Sequence, residues 1–452
     1  MLVACSRDAK EGAASSGAHP DVPTSSASGG ALLPTLDSAS VAGPSAKPEQ
    51  KLLDGSAKPL RGVIVISIDS LRADMPWNGY ERPIAPRLTK FAETAVNYTN
   101  AYSISSYTSM SLGGFLGGTY PSELRRDGYF FGGYAPDNLF FTEILKPAGI
   151  YTIGIQAHGY FKGGGFNQGF DDYQVVPGIS FNNTTDENIT GPKHEEMAEA
   201  ALSKVGDKKF FAWFHFMDPH DQYLSHPGIS WGNKARDRYD AEVTFTDGII
   251  GKLFDFIDKE PWGKEVAIIV TADHGEAFGE HGRYFHGFEL FEEVVRVPLL
   301  VKLPGATPRK IATRRSGVDL APTILELLAQ KPGDLMRGTS LVAEVKGATV
   351  PARDIVLDLP TTSDNELRRA VITDHFKIIK MGASGTRVYD LDADPGEKTT
   401  LQGESRDKMV KRLAEVDQTI RFIPPTTCKE GCLNGLYAKA ASSAAPAVTK
   451  AP

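Results

Sequence analysis

Residues 266–286 read VAIIVTADHGEAFGEHGRYFH, an apolar run followed by a cluster of acidic and imidazole side chains. The run over 266–270 is typical of a buried parallel strand. In open α/β sheets, ligands bind at the carboxyl ends of such strands. Gly275 permits the chain to turn, so that Asp273 and His274 can face one ion. Carboxylate and imidazole suit Mg²⁺, Mn²⁺, Ca²⁺ or Zn²⁺. Taken alone, the pair is more typical of a solvated acidic loop.

A second acidic residue follows an earlier strand. Residues 62–68 read GVIVISI and end at Asp69. An aspartate there is commonly a helix cap or a turn former. Two acidic strand ends in one chain instead favour a shared site. The polar group after the aromatic strand 209–217, which contains Asp218 and His220, lies where that site is expected, while His215 inside the strand is predicted to be a core residue.

Small hydroxyl residues precede an apolar, glycine-rich helix in the segment 103–121. Thr108 is predicted to begin this helix, where backbone N–H groups and the helix dipole favour an anion. A hydroxyl at this position is commonly a cap. The alternative is a nucleophile whose alkoxide is stabilised by a metal.

Strand and helix patterns alternate through most of the chain and predict an α/β fold. From about residue 350 the texture changes to short alternating strands at 355–359, 369–373, 376–381 and 387–390, followed by a helix over 408–420. These predict a small antiparallel sheet. We expect four parts: a lipobox-like start and disordered tether (1–60), a catalytic domain (61–345), an antiparallel sheet plus helix subdomain (346–425) and a tail (426–452).

The composition excludes some classes of protein. The chain has 452 residues, 41% hydrophobic content and a net charge of −7. The acidic balance and the lack of a Lys/Arg run argue against nucleic-acid binding. The sequence contains no run of 18 apolar residues, so no membrane-spanning helix is predicted.

The first residues, Leu2-Val3-Ala4-Cys5, resemble a bacterial lipoprotein box with Cys5 as the lipidated residue. The basic and apolar regions that usually precede such a box are missing, so a late recorded start or a chance match are the alternatives. Residues 6–60 are rich in Ser, Ala, Gly and Pro, as a tether would be. Cys428 and Cys432 are compatible with a small disulfide loop or with two free thiols. We expect an extracytoplasmic protein of a bacterium, periplasmic or anchored to the membrane.

Eight segments in order resemble the sulfatase branch of the alkaline phosphatase superfamily: VISIDSLRAD, GGTYP, HFMDPHDQY, YDAEVTFTDGIIGKL, TADHGEAFGEHG, FEEVVRVPLLV, VDLAPTILELL and VYDLDADPGE. They extend from about residue 62 to residue 401. The resemblance implies a large mixed, mostly parallel sheet sandwiched by helices, with a small C-terminal antiparallel sheet.

The resemblance also implies roles for single residues. Asp69, Asp273 and His274 match metal ligands, and counting back from GGTYP places Thr108 at the nucleophile position, beside the metal. Three histidines match substrate-contacting or leaving-group positions: His158, His220 and His286, the last where many sulfatases have a lysine. Arg72 is expected to pair with Asp74, with contact to a substrate anion as the alternative.

The chain departs from the usual sulfatase pattern around the nucleophile. Residues 108–112 read TSMSL, without the Cys, Pro and Arg of the formylglycine motif, so no formylglycine is expected. Asp69-Ser70 has one carboxylate where the usual sulfatase pattern has two aspartates, and Gln156 lies at a position where a lysine is common. The result is similar to phosphate-handling members with a Thr nucleophile, such as lipoteichoic acid synthases, phosphoethanolamine transferases and phosphodiesterases. We expect one divalent ion, Ca, Mg, Mn or Zn, since the spacing of Asp218 and His220 departs from the two-zinc pattern.

The sequence therefore predicts a metal-dependent hydrolase that cleaves sulfate or phosphate esters through Thr108. Its substrate would be a small, glycan or lipid anionic ester. One alternative is a phosphoryl-alcohol transferase, phosphoethanolamine-like, acting on envelope lipids or glycans. Another is an inactive metal-binding homologue.

Other polar residues are assigned structural roles. Glu280 and His281 are expected to hold a loop. Asp247 is expected to be a solvated or capping charge, and His226 and His375 to be surface residues.

Overall fold

The computed structural model describes residues 60–129, 132–179, 189–220 and 222–426. The predictions for Cys5, for the tether up to residue 59, and for Cys428 and Cys432 fall outside these ranges. Among the helices of the described ranges, none combines the length and apolar character that crossing a membrane would require.

The strands are given first in chain order: β1 (Gly62–Ile68), β2 (Val96–Tyr98), β3 (Ala101–Tyr102), β4 (Tyr151–Gln156), β5 (Asp172–Val175), β6 (Phe210–Phe216), β7 (Val266–Ala272), β8 (Ala277–Phe278), β9 (Tyr284–Phe285), β10 (Arg296–Val297), β11 (Leu299–Lys302), β12 (Arg309–Ile311), β13 (Arg315–Ser316), β14 (Ile355–Leu359), β15 (Arg368–Thr373), β16 (Phe376–Met381) and β17 (Thr386–Asp390). The α-helices are α1 (Pro86–Ala92), α2 (Thr108–Gly117), α3 (Phe141–Leu145), α4 (Gly191–Leu202), α5 (Ala235–Lys259), α6 (Glu292–Val295), α7 (Leu320–Leu327), α8 (Val342–Val345) and α9 (Glu404–Thr419).

An eight-stranded sheet organises the molecule, in the order β12-β2-β11-β7-β1-β6-β4-β5. Its pairs are parallel except for those of β11, which runs antiparallel to β2 and β7. The central strands β1, β6 and β7 are buried along their whole length, which explains their continuous apolar runs.

Successive residues of β1 enter two different cores, because side chains alternate across a strand. Val63 and Val65 pack into one core with apolar residues of α2, α3 and α7. Ile64 and Ile66 pack into the other with residues of α1, α4 and α5. Helices therefore cover both faces of the sheet.

A second sheet, β14-β15-β16-β17, is antiparallel throughout, and α9 packs against β15 and β16. The predicted fold class is confirmed: a large, mostly parallel sheet between helices with a small C-terminal antiparallel sheet. The domain boundaries at 60/61, 345/346 and 425/426 stay predictions.

Two elements have no clear periodic signal in the sequence. The edge strand β5 is only partly buried and has no apolar run. The helix α4, which begins at Gly191, has a mixed composition that hides its buried face.

Candidate active site

Two carboxylates meet at the carboxyl ends of β1 and β7. The strands pair in parallel with Ile68 opposite Ala272, so that Asp69 and Asp273 are the next residues on each. Ser70 has a φ of 58°, which turns the chain sharply after Asp69. Its backbone N–H donates to Asp273 Oδ1 at 3.3 Å, and its hydroxyl donates to Asp69 Oδ1 at 2.7 Å.

Thr108 is the first residue of α2, as the sequence predicts, and its hydroxyl points at this pair of strand ends. Thr108 Oγ1 lies 2.9 Å from His274 Nε2 and 3.3 Å from Asp69 Oδ2. The helix is buried along its whole length, and Ser111 Oγ donates to the backbone carbonyl of Asp273. The hydroxyl is therefore held in place from several directions.

The His274 ring is neutral, with an acceptor directed into the site. Its Nδ1 lies 2.9 Å from the carbonyl of Gly275, a bond that places the proton on Nδ1 and leaves Nε2 as an acceptor. Burial lowers the pKa of His274 to about 3. Nε2 nevertheless lies 3.2 Å from Asp273 Oδ2 and 3.8 Å from Asp69 Oδ1.

Acceptor atoms thus face one another where a cation would satisfy them. Asp273 Oδ2 has no hydrogen-bond donor among the described residues. Burial and the charge of Asp69 raise the pKa of Asp273 well above its usual range. Burial would also raise the pKa of Asp69, but His220, His215 and His274 outweigh it and hold the value well below the usual range. This donor set fits a divalent metal ion.

Two groups of side chains within the described residues bring ligand atoms within 4.8 Å of one another: Asp69, His215 and Asp273, and Asp69, His220 and His286. His215 lies on β6, with Nε2 3.3 Å from Asp69 Oδ2 and Nδ1 2.9 Å from Ser67 Oγ. The predicted core position of His215 is confirmed by its complete burial. This core residue also contacts Asp69 and so adjoins the site.

His286 and His220 form the more open side of the site. The His286 ring stacks on His274 with centroids 4.1 Å apart and lies 5.0 Å from the His220 ring. His286 Nδ1 lies 3.1 Å from Glu276 Oε1, and Tyr223 donates to the other carboxylate oxygen at 3.0 Å. Burial raises the pKa of Glu276 to about 7 and lowers that of His286 to about 3.

His158 follows β4 and begins a short 3₁₀ turn, with its Nδ1 accepting the N–H of Tyr160 at 3.3 Å. The Tyr160 ring centroid lies 4.5 Å from that of His158. Burial, followed by the charge of Asp69, raises the pKa of Tyr160 well above its usual range. Tyr107 has the same two leading causes for its raised pKa. In the sequence, nothing distinguishes either tyrosine from other aromatic residues near a turn.

Arg72 forms the predicted pair with Asp74 at 2.8 Å. Its guanidinium also bonds Glu280 at 3.0 Å and the carbonyl of Glu276 at 2.6 Å. These bonds fix the loop after β7; contact with a substrate anion stays a prediction. Asp218 accepts bonds from the backbone and hydroxyl of Thr190, both at 2.9 Å, at the start of α4.

His281 bonds Glu293 at 2.8 Å and the carbonyl of Glu397 at 3.1 Å, in agreement with a loop-holding role. His375 is partly exposed, as predicted. The prediction for His226 is wrong: the ring is buried, stacks on Phe245 and bonds Glu242 at 2.7 Å. Phe245, one helical turn from Glu242 on α5, covers the His226 ring.

Asp247 is a cap rather than a solvated charge. It is buried on α5, and its two oxygens accept the backbone N–H groups of Arg87 and Leu88 at 2.9 and 2.7 Å. It therefore caps α1, a different helix from its own.

The family follows from comparison of the whole sequence. The family model described as Sulfatase matches residues 61–330. The chain belongs to the sulfatase family. A second model, described as N-sulphoglucosamine sulphohydrolase, C-terminal, matches residues 279–421. This sulfatase-family chain is accordingly a hydrolase that acts on ester bonds.

Individual relatives agree with this placement. The sulfatase-family chain is 26% identical over 438 residues to an ulvan-active sulfatase of Formosa agariphila, covering 82% of this chain and 85% of the relative. The structure of a protein in complex with its substrate D-glucosamine-2-N,6-O-disulfate matches with a TM-score of 0.66 at 16% identity, covering 80% of this chain and 98% of that one. The phosphonate monoester hydrolase of Agrobacterium radiobacter matches with a TM-score of 0.63 at 15% identity, covering 80% and 95%.

Proposed function

We propose that this hydrolase cleaves sulfate esters, with Thr108 as the nucleophile beside one divalent metal ion. The observation that carries the proposal is the position of Thr108 Oγ1, 2.9 Å from His274 Nε2 and 3.3 Å from Asp69 Oδ2. A hydroxyl in this place lies at the junction of a helix N-terminus and two carboxylates. The first turn of α2 adds backbone N–H groups that favour an anion at the same point.

Asp69, Asp273 and His274 would hold the metal, together with the Thr108 hydroxyl. The facing acceptor atoms of His274 and Asp273 support this assignment, because only a cation or a proton relieves their repulsion. When bound, such an ion supplies positive charge that favours the alkoxide form of a hydroxyl and neutralises an oxygen of the substrate. The ligand set is compatible with Ca, Mg, Mn or Zn.

The protein's own groups then perform the exchange. Thr108 Oγ1 forms a bond to sulfur while the bond from sulfur to the alkoxyl oxygen breaks. The proton of the Thr108 hydroxyl passes to the imidazole of His220 or His286, which delivers it to the departing oxygen. Glu276 faces His286 Nδ1 at 3.1 Å and would stabilise the protonated ring. Water then attacks the sulfur of the Thr108 ester, which releases sulfate and restores the hydroxyl.

Phosphorus esters are the second candidate, since a threonine ester of phosphate is resolved by the same attack of water. The fold shared with a phosphonate monoester hydrolase favours testing them. The named substrates of the relatives make a sulfated saccharide the first natural substrate to test. Contacts of Arg72 and His158 with substrate, lipidation at Cys5 and an extracytoplasmic location stay predictions.

The test is a panel of nitrophenyl sulfate, phosphate, phosphodiester and phosphonate substrates, assayed with Ca²⁺, Mg²⁺, Mn²⁺ or Zn²⁺ and after chelation. We expect metal-dependent turnover of the sulfate. Transfer to an added alcohol without net hydrolysis would instead support the transferase. Failure of every substrate would support the inactive homologue.

Thr108→Ala is expected to lower kcat by about 10³-fold or more, because the covalent step is lost. Ser109→Ala is the matched control: its hydroxyl is buried on the next residue of α2 and has no hydrogen-bond partner among the described residues. We expect the control to stay within about twofold of the parent. Mass spectrometry of acid-quenched enzyme checks for a sulfate ester on the peptide with Thr108. Full turnover by Thr108→Ala would refute the nucleophile.

A further inference from the structure

Three aromatic side chains are exposed on the chain segment that carries His286. Tyr284 is 59%, Phe285 45% and Phe288 41% exposed. We call these three residues the aromatic rim. Large apolar side chains grouped this closely on a surface mark a binding site more often than scattered ones do.

The aromatic rim lies on the open side of the site. Asp69, Asp273 and His274 are almost fully buried, His286 is intermediate, and Phe285 before it and Phe288 two residues after it are exposed. Exposure therefore increases from the carboxylates towards the rim. A substrate whose anionic end contacts Thr108 must extend its alcohol part in the direction in which exposure increases.

The rim begins close to the reacting atoms. Phe285 and His286 are consecutive, so their Cα atoms are about 3.8 Å apart. The His286 ring stacks at 4.1 Å on His274, whose Nε2 lies 2.9 Å from the Thr108 oxygen. Phe285 therefore directly precedes the residue whose ring covers His274 on the open side of the site.

The backbone holds Phe285 in a conformation that a bulky residue rarely adopts. Its φ is 67°, in the left-handed region where glycine is favoured. The hairpin maintains it, with Ala277 opposite Phe285, Phe278 opposite Tyr284, and the N–H of Gly279 bonded to the carbonyl of Arg283 at 2.8 Å. Such strain is concentrated at functional sites. The Phe285 side chain is 45% exposed, so its burial offsets little of this strain.

We propose that the aromatic rim binds the pyranose ring of a sulfated sugar by stacking against its C–H face. This inference deepens the proposed function and rests on it. A pyranose combines an apolar face with a polar edge, and the rim combines exposed rings with the cation Arg283, whose side chain is 60% exposed. A ligand of this kind meets the rings and water at the same time. The rim is thus a specificity determinant that distinguishes sugar esters from acyclic ones.

Direct binding tests the inference without requiring turnover. In the Thr108→Ala background, which retains the uncleaved ester, calorimetry measures the Kd of glucose 6-sulfate and of ethyl sulfate. Adding Phe285→Ala and Phe288→Ala is expected to raise the Kd of glucose 6-sulfate at least tenfold. The rise in the Kd of ethyl sulfate is expected to be at least five times smaller. Phe285→Trp is expected to restore binding of the sugar, because it keeps an aromatic face.

The control variant is Leu335→Ala with Phe422→Ala, which removes side chains that are 66% and 52% exposed elsewhere on the surface. We expect it to leave both Kd values unchanged within twofold. Equal weakening of both esters by the rim variant would assign the rim a purely structural role and overturn the proposal, as would unchanged sugar binding. Hydrolysis of ethyl sulfate by the unmodified enzyme is measured in parallel, so that failure of the proposed function is recognised separately.

Discussion

His215 lies on β6 with its imidazole between Ser67 of β1 and Asp69, the residue that follows β1. Nδ1 faces Ser67 Oγ at 2.9 Å, and Nε2 faces Asp69 Oδ2 at 3.3 Å. The Ser67 hydroxyl in turn accepts the indole N–H of Trp213 at 2.8 Å. This chain of contacts orients the Asp69 carboxylate from behind. We infer that His215 is a positioning residue for the metal ligand.

Replacing this ring tests that role at the level of metal binding. His215→Phe is expected to lower the affinity for the divalent ion by about 10–100-fold, the usual effect of losing a group that orients a ligand. Competition with a chelating dye measures it directly. His194→Phe is the control: that ring is also fully buried, against Phe216 at 4.2 Å. Equal losses in the two variants would show that packing, and not contact with Asp69, is responsible.

The residues of the site differ in how far the sequence reveals them. Asp69, Thr108, Asp273 and His274 follow strand ends or begin a helix, and the fold brings their side chains together as the patterns suggest. His215 is hidden because its neighbours are aromatic, and an imidazole in such a strand resembles core. The contact of His215 with Asp69 becomes clear only from the register of β1 and β6, which places His215 opposite Ser67.

At the scale of elements, Asp247 joins two helices. Its carboxylate on α5 accepts the first N–H groups of α1, donors that a helix N-terminus otherwise leaves unpaired. Asp247→Ala is expected to reduce the free energy of unfolding by about 1–3 kcal/mol, measured by urea denaturation. Asp258→Ala, at an exposed position of the same helix, should change it by less than about 0.5 kcal/mol. A comparable loss in both would contradict the capping role.

The same carboxylate gives stability a pH dependence. Burial raises the pKa of Asp247 to about 6, with the two N–H groups opposing it in part. The folded state therefore binds this proton more tightly than the unfolded chain, whose pKa is about 3.9. The contribution is complete below about pH 4 and is lost as the pH rises through about 6. The unfolding free energy of the parent relative to Asp247→Asn should fall by roughly 1 kcal/mol between pH 5 and pH 7.5. A constant difference would contradict it.

Elements with a strong periodic signal are the ones that sequence patterns place well. The run 62–68 coincides with β1, and 376–381 with β16. The helix α4 has little apolar contrast in the sequence, because its buried residues are one glycine, two alanines, one histidine and a single leucine. The strand β5 is an edge strand of four partly buried residues, and its polar composition resembles a loop.

At the scale of the whole molecule, Lys377 connects the C-terminal sheet to Glu292 at the start of α6. It is fully buried on β16, and its Nζ lies 2.9 Å from both Glu292 and Glu397. Burial would lower the pKa of Lys377, but the two carboxylates outweigh it and raise the value. Glu397 also accepts the N–H of Glu292, while its carbonyl faces His281. The small sheet thus supports the loop on which His286 lies.

Lys377→Ala is expected to cost about 3–5 kcal/mol in the free energy of unfolding, because two buried carboxylates lose their cation. Lys380 provides the comparison on the same strand. Its pair with Asp417 at 3.2 Å is 38% exposed on the lysine side, so that Lys380→Ala should cost less than about 1 kcal/mol. Chemical denaturation of both variants measures the difference. Similar values would show that the buried triad contributes no more than a surface pair.

The residues of the site are far apart along the chain, which determines how late in synthesis the site can be completed. Thr108 is 39 residues from Asp69 and 166 from His274, and Ser70 reaches across 203 residues to Asp273. Contacts between residues so far apart in sequence form slowly. A chain synthesised as far as Thr108 still lacks Asp273 and His274, so the complete set of proposed metal ligands exists only after residue 274 has been added.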